Sequence, residues 1–312
     1  FGICPAAAGD DWPQWLGPHR NGHYEGPPLA ASWREGAPPQ LWSHEIGEGW
    51  SAPIVVDGKV VIYHRQGDQD VVEALRSESG ERLWRTTFPT TYKDRFGLNG
   101  GPRATPAAAE GRVYLFSAEG VLRALDLADG RELWKVDTHA LFEVEQGFFG
   151  ASASPLVEGG RIFLNIGGSK TGAGLVAFEA ATGEVAWKTT NHEASYASAA
   201  AATLNGRRWI LFFDREGLVQ VEPEKGRVFY TYPLRSESRT TVNAASPVVL
   251  GEKVFISASY HVGSALVDLG ENGPEVKWNN HLSLNNHYAT SMAKDGLLFG
   301  FHGRQEARPA FR

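Results

Sequence analysis

The sequence predicts an all-β protein made of repeated four-stranded antiparallel units, and three observations carry that prediction. One spaced motif recurs along the chain, a second marker recurs ahead of it, and the segments between have the length and composition of strands. The motif is an Ala, a Gly six residues on and a Trp four further: Ala74, Gly80 and Trp84; Ala124, Gly130 and Trp134; Ala177, Gly183 and Trp187. A degenerate copy keeps Gly226 and ends at Tyr230, and another gains one residue between Val267 and Trp278. The upstream marker is a small residue before Pro: Ala52-Pro53, Thr105-Pro106, Ser154-Pro155 and Ser246-Pro247, with Pro-to-Trp separations of 31, 28, 32 and 31 residues. Successive aromatic ends, counted from Trp42, fall 42 to 53 residues apart, the period of radial sheet repeats rather than helical ones.

The elements follow in order within each unit. Segments such as "GRVYLFS", "GVLRALDL" and "RELWKVD" are rich in Val, Leu, Tyr and Phe and are separated by Gly or Asp-Gly turns. No long stretch carries apolar residues at helical spacing. Each unit therefore has a Pro-marked, a Tyr/Phe-rich, an Ala-marked and a Trp-marked strand. Such a sheet cannot bury both faces alone, so the units pack radially as blades of a β-propeller. Asp129-Gly130 is expected to supply the positive φ of a tight hairpin turn into the outermost strand. The Trp beyond it buries roughly 150–250 Å², an upper bound of about 4–6 kcal/mol before entropy. Trp42, Trp84, Trp134, Trp187, Tyr230 and Trp278 are thus structural docking residues. "PQLWSHEIG", with Trp42, is expected to be an orphan outer strand that closes a last blade and removes a free edge.

The chain divides into a leader over 1–10, a wrap and blade-closing strand over 11–48, and blades over 49–312. The units fall at about 49–90, 100–138, 150–190, 195–232 and 243–280, with a partial one at 286–312. Five complete units and one cut short read as a truncated chain, whose last sheet should expose an edge prone to association.

Bulk properties narrow the class. The 312 residues are 42% hydrophobic and 21% charged, enough for an ordinary folded core. Net charge is −6 with no basic stripe, which argues against nucleic acid as a partner. No apolar run approaches the ~20 residues of a membrane helix. Cys4 is the single cysteine, so neither an intrachain disulfide nor a Cys-based metal site is available. Ala6-Ala7-Ala8 has the form of an export-signal cleavage site, which places the protein in the periplasm or cell envelope. Acylation of Cys4 is the alternative, with Ile3 a poor fit before it. "GGSKTG" at 167–172 misses the phosphate-loop spacing, and neither "HEIG" nor "HEAS" is a zinc motif.

The A-x-x-x-x-T-G-x-x-x-W pattern at Ala177, Thr182, Gly183 and Trp187 resembles the tryptophan-docking repeat of pyrroloquinoline-quinone (PQQ) propellers. The opening Asp11-Trp12-Pro13-Gln14-Trp15 with Gly17-Pro18 and Asn21-Gly22 is similar to that of bacterial exported PQQ-like repeat proteins, as are "YKDRFG" at 92–97 and "GPRATP" at 101–106. The resemblance implies seven or eight blades in a full protein, and likeness to the propeller lipoprotein of the outer-membrane β-barrel assembly machinery. It does not imply catalysis. Alcohol-type PQQ dehydrogenases share the repeat, hold calcium with Glu, Asn and Asp, and carry a disulfide between adjacent cysteines; one cysteine cannot form it. No cofactor is therefore expected, with PQQ and calcium the disfavoured alternative.

Function is expected at the channel mouth. The Pro-marked strand is innermost, so residues just before it crowd that mouth. Three positions ahead of each Pro, or its equivalent, stand Trp50, Arg103, Ser152, Tyr196, Ala244 and Tyr288, with Asn243 and His287 one position earlier. The loop "TYKDRFGLNGG" adds Tyr92, Asp94 and Arg95. Aromatics, Arg, Asn and His converging there suit a polar or anionic ligand or a protein partner in the envelope. The competing reading makes Arg103 and Asp94 structural partners and the aromatics a plug. The expected function is a non-catalytic binding scaffold; a quinoprotein oxidoreductase and a sensor module of a larger envelope protein are the alternatives.

Overall fold

The computed structural model describes residues 11–28, 30, 32–33, 36–238, 243–304 and 308–312. The leader signals, Cys4 and Ala6-Ala7-Ala8, lie outside the described residues. The described chain forms five four-stranded antiparallel sheets, each with its strands in sequence order from first to fourth. Blade I comprises Ile54–Val56, Lys59–Gln66, Gln69–Arg76 and Arg82–Pro89. Blade II comprises Ala107–Ala109, Arg112–Phe116, Val121–Asp126 and Glu132–Asp137. Blade III has Leu156–Glu158, Arg161–Gly168, Ala173–Glu179 and Val185–Thr189. Blade IV has Ala200–Leu204, Arg207–Phe213, Gly217–Val221 and Val228–Pro233. Blade V has Val248–Leu250, Lys253–Ala258, Gly263–Asp268 and Glu275–Asn280. Beyond them lie two two-stranded hairpins, Met292–Lys294 with Leu297–Phe299 and Phe301–His302 with Ala310–Phe311. Two helical turns, Thr138–Phe142 and the 3-10 turn Ser169–Thr171, carry no sequence signal at helical spacing; the Asp137 carboxylate caps the first by accepting from the Ala140 N–H.

Apolar residues alternate between sheets, so the core lies in layers between blades rather than at one centre. Tyr114, Phe116 and Leu122 of blade II pack with Ile162, Leu164 and Phe178 of blade III, and Leu211 and Phe213 of blade IV with Val254 and Ile256 of blade V. First strands of neighbouring blades touch one another, which makes them innermost.

The recurring Ala, Gly and Trp now have separate tasks. Ala124 pairs with Tyr114 on one side and Trp134 on the other, so its small side chain lets the Trp ring reach the Tyr ring, with centroids 6.1 Å apart. Ala177 does the same between Phe163 and Trp187. Each docking Trp then sits on the glycine turn of the next blade: Trp84 on Gly130, Trp134 on Gly183 and Trp187 on Gly226. Its indole N–H donates to the carbonyl three residues before that glycine, in Leu127 at 3.0 Å, Ala180 at 3.1 Å and Pro223 at 2.7 Å.

Three expectations change. The turn at Gly130 has the anticipated positive φ of 76°, yet it is not a tight hairpin: the Gly130 N–H donates to Asp126 four residues back, and the extra length forms the seat for Trp84. Trp42 docks as its relatives do, over Gly80 with its N–H on the Ser77 carbonyl at 2.8 Å. The segment bearing it is extended but is no strand, because no described strand lies beside it to form a ladder; only Glu48 bridges to Arg65. Tyr230 has no glycine seat. In blade V Trp278 pairs with Leu266, two residues farther back than in the other blades; the lengthened turn redirects the Gly273 N–H to Gly270, leaving open space over Gly273, and Tyr230 packs half-buried against the blade IV–V core instead. Trp278 stacks on Phe255 within its own blade at 6.0 Å.

A ring of hydroxyls binds the innermost strands together. The N–H of Ala52 donates to Thr105 Oγ1 at 3.1 Å, that of Thr105 to Ser154 Oγ at 2.9 Å, and that of Ser154 to Ser198 Oγ at 2.9 Å. Ser246 donates likewise to Thr290 Oγ1 at 3.0 Å. The acceptor is the residue before Pro in blades II and III, Thr105 and Ser154, and a hydroxyl residue not followed by Pro in blade IV, Ser198, and ahead of the first hairpin, Thr290. Inside this ring runs the N-terminal segment. Trp12 bridges to Val55, Pro13 accepts from Ala108, Trp15 donates to Ser246 Oγ, and Gly22 lies against Met292. Residues 12–22 thus contact the first strands, or their approaches, in blades I, II, III and V and the hairpin that follows. Arg20 supplies the blade III contact, donating to the carbonyls of Pro155 at 2.8 Å and Ser154 at 3.2 Å.

Candidate binding face

Strand direction sorts the connections onto two faces. Turns at 77–81 and 127–131 lie on one, and loops at 47–52, 90–104, 138–154, 190–198 and 281–290 lie on the other. The residues expected at the channel mouth all belong to this second, loop face, but the structure gives them different work.

Asp94 and Arg103 form a buried ion pair at 3.1 Å. The same carboxylate accepts the N–H groups of Phe96, Leu98 and Asn99, and the guanidinium donates to the carbonyls of Asn99 and Gly101. Both therefore hold the 92–103 loop in shape. Asn243 is buried too, donating from Nδ2 to Asp214 at 2.7 Å and Leu234 at 3.1 Å, while its carbonyl receives the N–H of Tyr196. The Tyr196 hydroxyl accepts the Phe149 N–H at 3.0 Å, and burial raises its pKa. His287 Nε2 meets the Tyr260 hydroxyl at 2.8 Å. Arg95 lies over the Phe148 ring at 5.0 Å, and Phe96 packs on Phe149 at 5.3 Å, joining the blade I–II loop to the blade II–III loop.

Trp50 and Tyr288 are different. They point outward at 65% and 56% exposure, and Phe96 and Leu98 join them at 58% and 69%. These four are among the exposed large apolar side chains of the described residues, and all four stand on the loop face.

Two hollows open on this face. One, of about 450 Å³, lies between Glu48, Arg65, Tyr92, Lys93 and the loop to Gly100. Arg65 is fully engaged there, with the carbonyls of Tyr92, Gly100 and Gly67 as acceptors at 2.6, 2.9 and 2.7 Å. The other, of about 270 Å³, lies between the 139–152 and 193–196 loops and contains Ser152 and Tyr196 among the residues expected at the mouth. Sequence reasoning missed Asn165, Lys170, Glu193 and Arg215, which line it as well. Arg215 stood in plain view as a charged residue in a turn directly after the apolar run "WILFF", but its burial depends on loops far away in sequence.

Among the described residues, no three His, Cys, Asp or Glu side chains are placed to share a metal ion. The innermost space is taken by residues 12–22.

Comparison with known proteins agrees with this architecture. Solved quinohemoprotein alcohol dehydrogenase from Comamonas testosteroni superimposes with a TM-score of 0.58 at 18% identity, covering 97% of this chain and 53% of that one. In sequence, that enzyme is 31% identical over 155 residues, 47% of this chain and 21% of the dehydrogenase. Outer membrane protein assembly factor BamB of Burkholderia pseudomallei is 26% identical over 202 residues, 62% of this chain and 46% of that protein. The chain thus spans less than half the length of the curated relatives it matches. The profile described as outer membrane protein assembly factor BamB matches residues 34–143 and 68–306, and the chain belongs to this PQQ-like propeller-repeat family.

Proposed function

We propose that this chain is a docking scaffold that binds a protein partner in the cell envelope through its loop face. The observation that carries the reading is the exposure of Trp50, Phe96, Leu98 and Tyr288 on loops held rigid by buried pairs such as Asp94–Arg103. Rigid, exposed aromatics supply contact area at low entropic cost, which is what interface anchors do. Kinship with a protein named as an outer-membrane assembly factor supports both the scaffold role and the envelope location. No described helix is long and apolar enough to cross a membrane.

The experiment is site-specific photo-crosslinking in the native cell. A photoreactive residue at Trp50, Phe96 or Tyr288 should give one discrete adduct, and at Glu78 or Glu224 on the turn face it should give none. Equal labelling from both faces would sink the proposal. Similarity to quinohemoprotein alcohol dehydrogenases supports a second reading, oxidoreduction with PQQ and calcium. Titrating PQQ absorbance with and without Ca²⁺, alongside dye reduction, tests it: saturable binding with turnover would replace the scaffold reading. A role as one module of a larger envelope sensor is compatible with the same face.

A further inference from the structure

Arg103 meets Asp94, Arg65 has three carbonyl acceptors, and Arg20 has two carbonyls and Gln14 Oε1. Arg215 is served less well. It is 6% exposed; among the described residues its guanidinium donates one hydrogen bond, from Nη2 to the Ser238 carbonyl at 3.0 Å, and its Nε is buried without an acceptor. Among the described residues no carboxylate lies within ion-pair distance of it, and the adjacent Glu216 is bound to Arg235 instead. Burial, reinforced by Arg235, lowers its affinity for the proton, and the nearby Glu193 and Glu216 offset this only in part.

Across the same 270 Å³ cavity stands Asn165, 4% exposed. Its Nδ2 reaches Ser195 Oγ at 3.4 Å, while its Oδ1 is buried without a donor. The cavity thus holds a cationic donor lacking an acceptor and an acceptor lacking a donor. Phe116, Val144 and Ile166 give it apolar walls, and Glu193 and the Glu145–Lys170 pair stand at its exposed rim. Its volume is near the lower end of small-ligand pockets, room for a single residue rather than a nucleotide.

We infer that this cavity binds the carboxylate end of an amino-acid residue, with the carboxylate on Arg215, the neighbouring N–H on Asn165 Oδ1 and an apolar side chain against Phe116. Two sources present this chemistry: the C-terminal residue of a protein partner, whose nitrogen is an amide, and a free amino acid, whose ammonium would face Glu193. The first source rests on the docking reading; the second stands without it.

Calorimetric titration of the full chain with N-acetyl-leucine, N-acetyl-leucinamide and free leucine tests the site. A carboxylate ligand should bind at least about tenfold more tightly than the carboxamide, because a charge-assisted bond is replaced by a neutral one. Arg215→Leu should lose at least about tenfold, Arg215→Lys less, and Asn165→Leu several-fold. N-acetyl-leucine binding more tightly than leucine identifies a C-terminus as the source; the reverse order identifies a free amino acid. Equal binding of carboxylate and carboxamide, or no saturation by either carboxylate at millimolar concentration, overturns the inference. So does native affinity in a folded Arg215→Leu. Should that variant not fold, the carboxylate-to-carboxamide comparison on the native chain still decides. Crosslinking from Trp50 and Phe96 is read independently, so docking and carboxylate capture can fail separately.

Discussion

Gly130 shows how one residue serves both turn and packing. Its φ of 76° favours glycine, and a Cβ there would overlap the Trp84 ring. Gly111 has a similar φ of 72° with nothing within 4 Å of an added Cβ. Gly111→Ala should therefore cost about 1–2 kcal/mol, the price of the left-handed backbone alone, and Gly130→Ala clearly more, since the Trp must also move. Urea unfolding of the two variants measures the difference, and equal losses would mean that docking contributes nothing. Asp70 gives a pH signature. Burial, opposed by the Tyr63 hydroxyl that donates to it at 2.8 Å, raises its pKa from 3.8 to about 6. A carboxyl held above its unfolded value binds protons more tightly when folded, so this group's contribution to stability falls as pH rises from about 4 to about 6. Two pKa units correspond to about 3 kcal/mol. Asp70→Asn should stabilise the protein at pH 7 by up to that amount, have little effect at pH 4, and flatten the stability profile between them; thermal unfolding across that range is the check.

At the scale of elements, the ring of hydroxyls fixes one innermost strand against the next. Ser154→Ala would leave the buried Thr105 N–H without its acceptor, at a cost of about 1–3 kcal/mol. Ser154→Thr keeps the hydroxyl, as Thr105 itself does in blade II, and should retain most of the stability. Guanidinium unfolding distinguishes the two, and identical losses would assign the effect to packing. The sequence displayed this element only as a small residue before Pro. Its hydroxyl looked incidental because its partner lies about one repeat away, and no local pattern reports a bond between blades. The Ala–Gly–Trp spacing was more legible: turn, strand pairing and docking all act within one blade or on the next. That legibility failed where the spacing did, at Tyr230, because a lengthened turn in blade V removed the glycine seat.

Across the whole molecule, residues 12–22 line the innermost strands, and the proposed docking role therefore rests on the outer loops. Arg20 anchors the N-terminal segment inside the ring with little exposure, and burial lowers its pKa to about 9. Arg20→Ala should cost about 2–3 kcal/mol by orphaning the carbonyls it serves, and increased proteolysis of residues 12–22 would report their release. Trp50 and Tyr288 were placed on the loop face by position in the repeat, which the strand geometry explains. Arg215 and Asn165 were not, because their cavity is assembled from the 139–152 and 193–196 loops, whose lengths and courses the repeat does not set. The central claim is that the loop face, not the channel or the turn face, binds the partner. Its most direct measurement is the affinity of the crosslinked partner, once purified, for Trp50→Ala, Phe96→Ala and Glu78→Ala chains. The account predicts at least about a tenfold loss for each aromatic truncation, as for an interface anchor, and no change for Glu78→Ala. Unchanged affinity in both aromatic variants would contradict it.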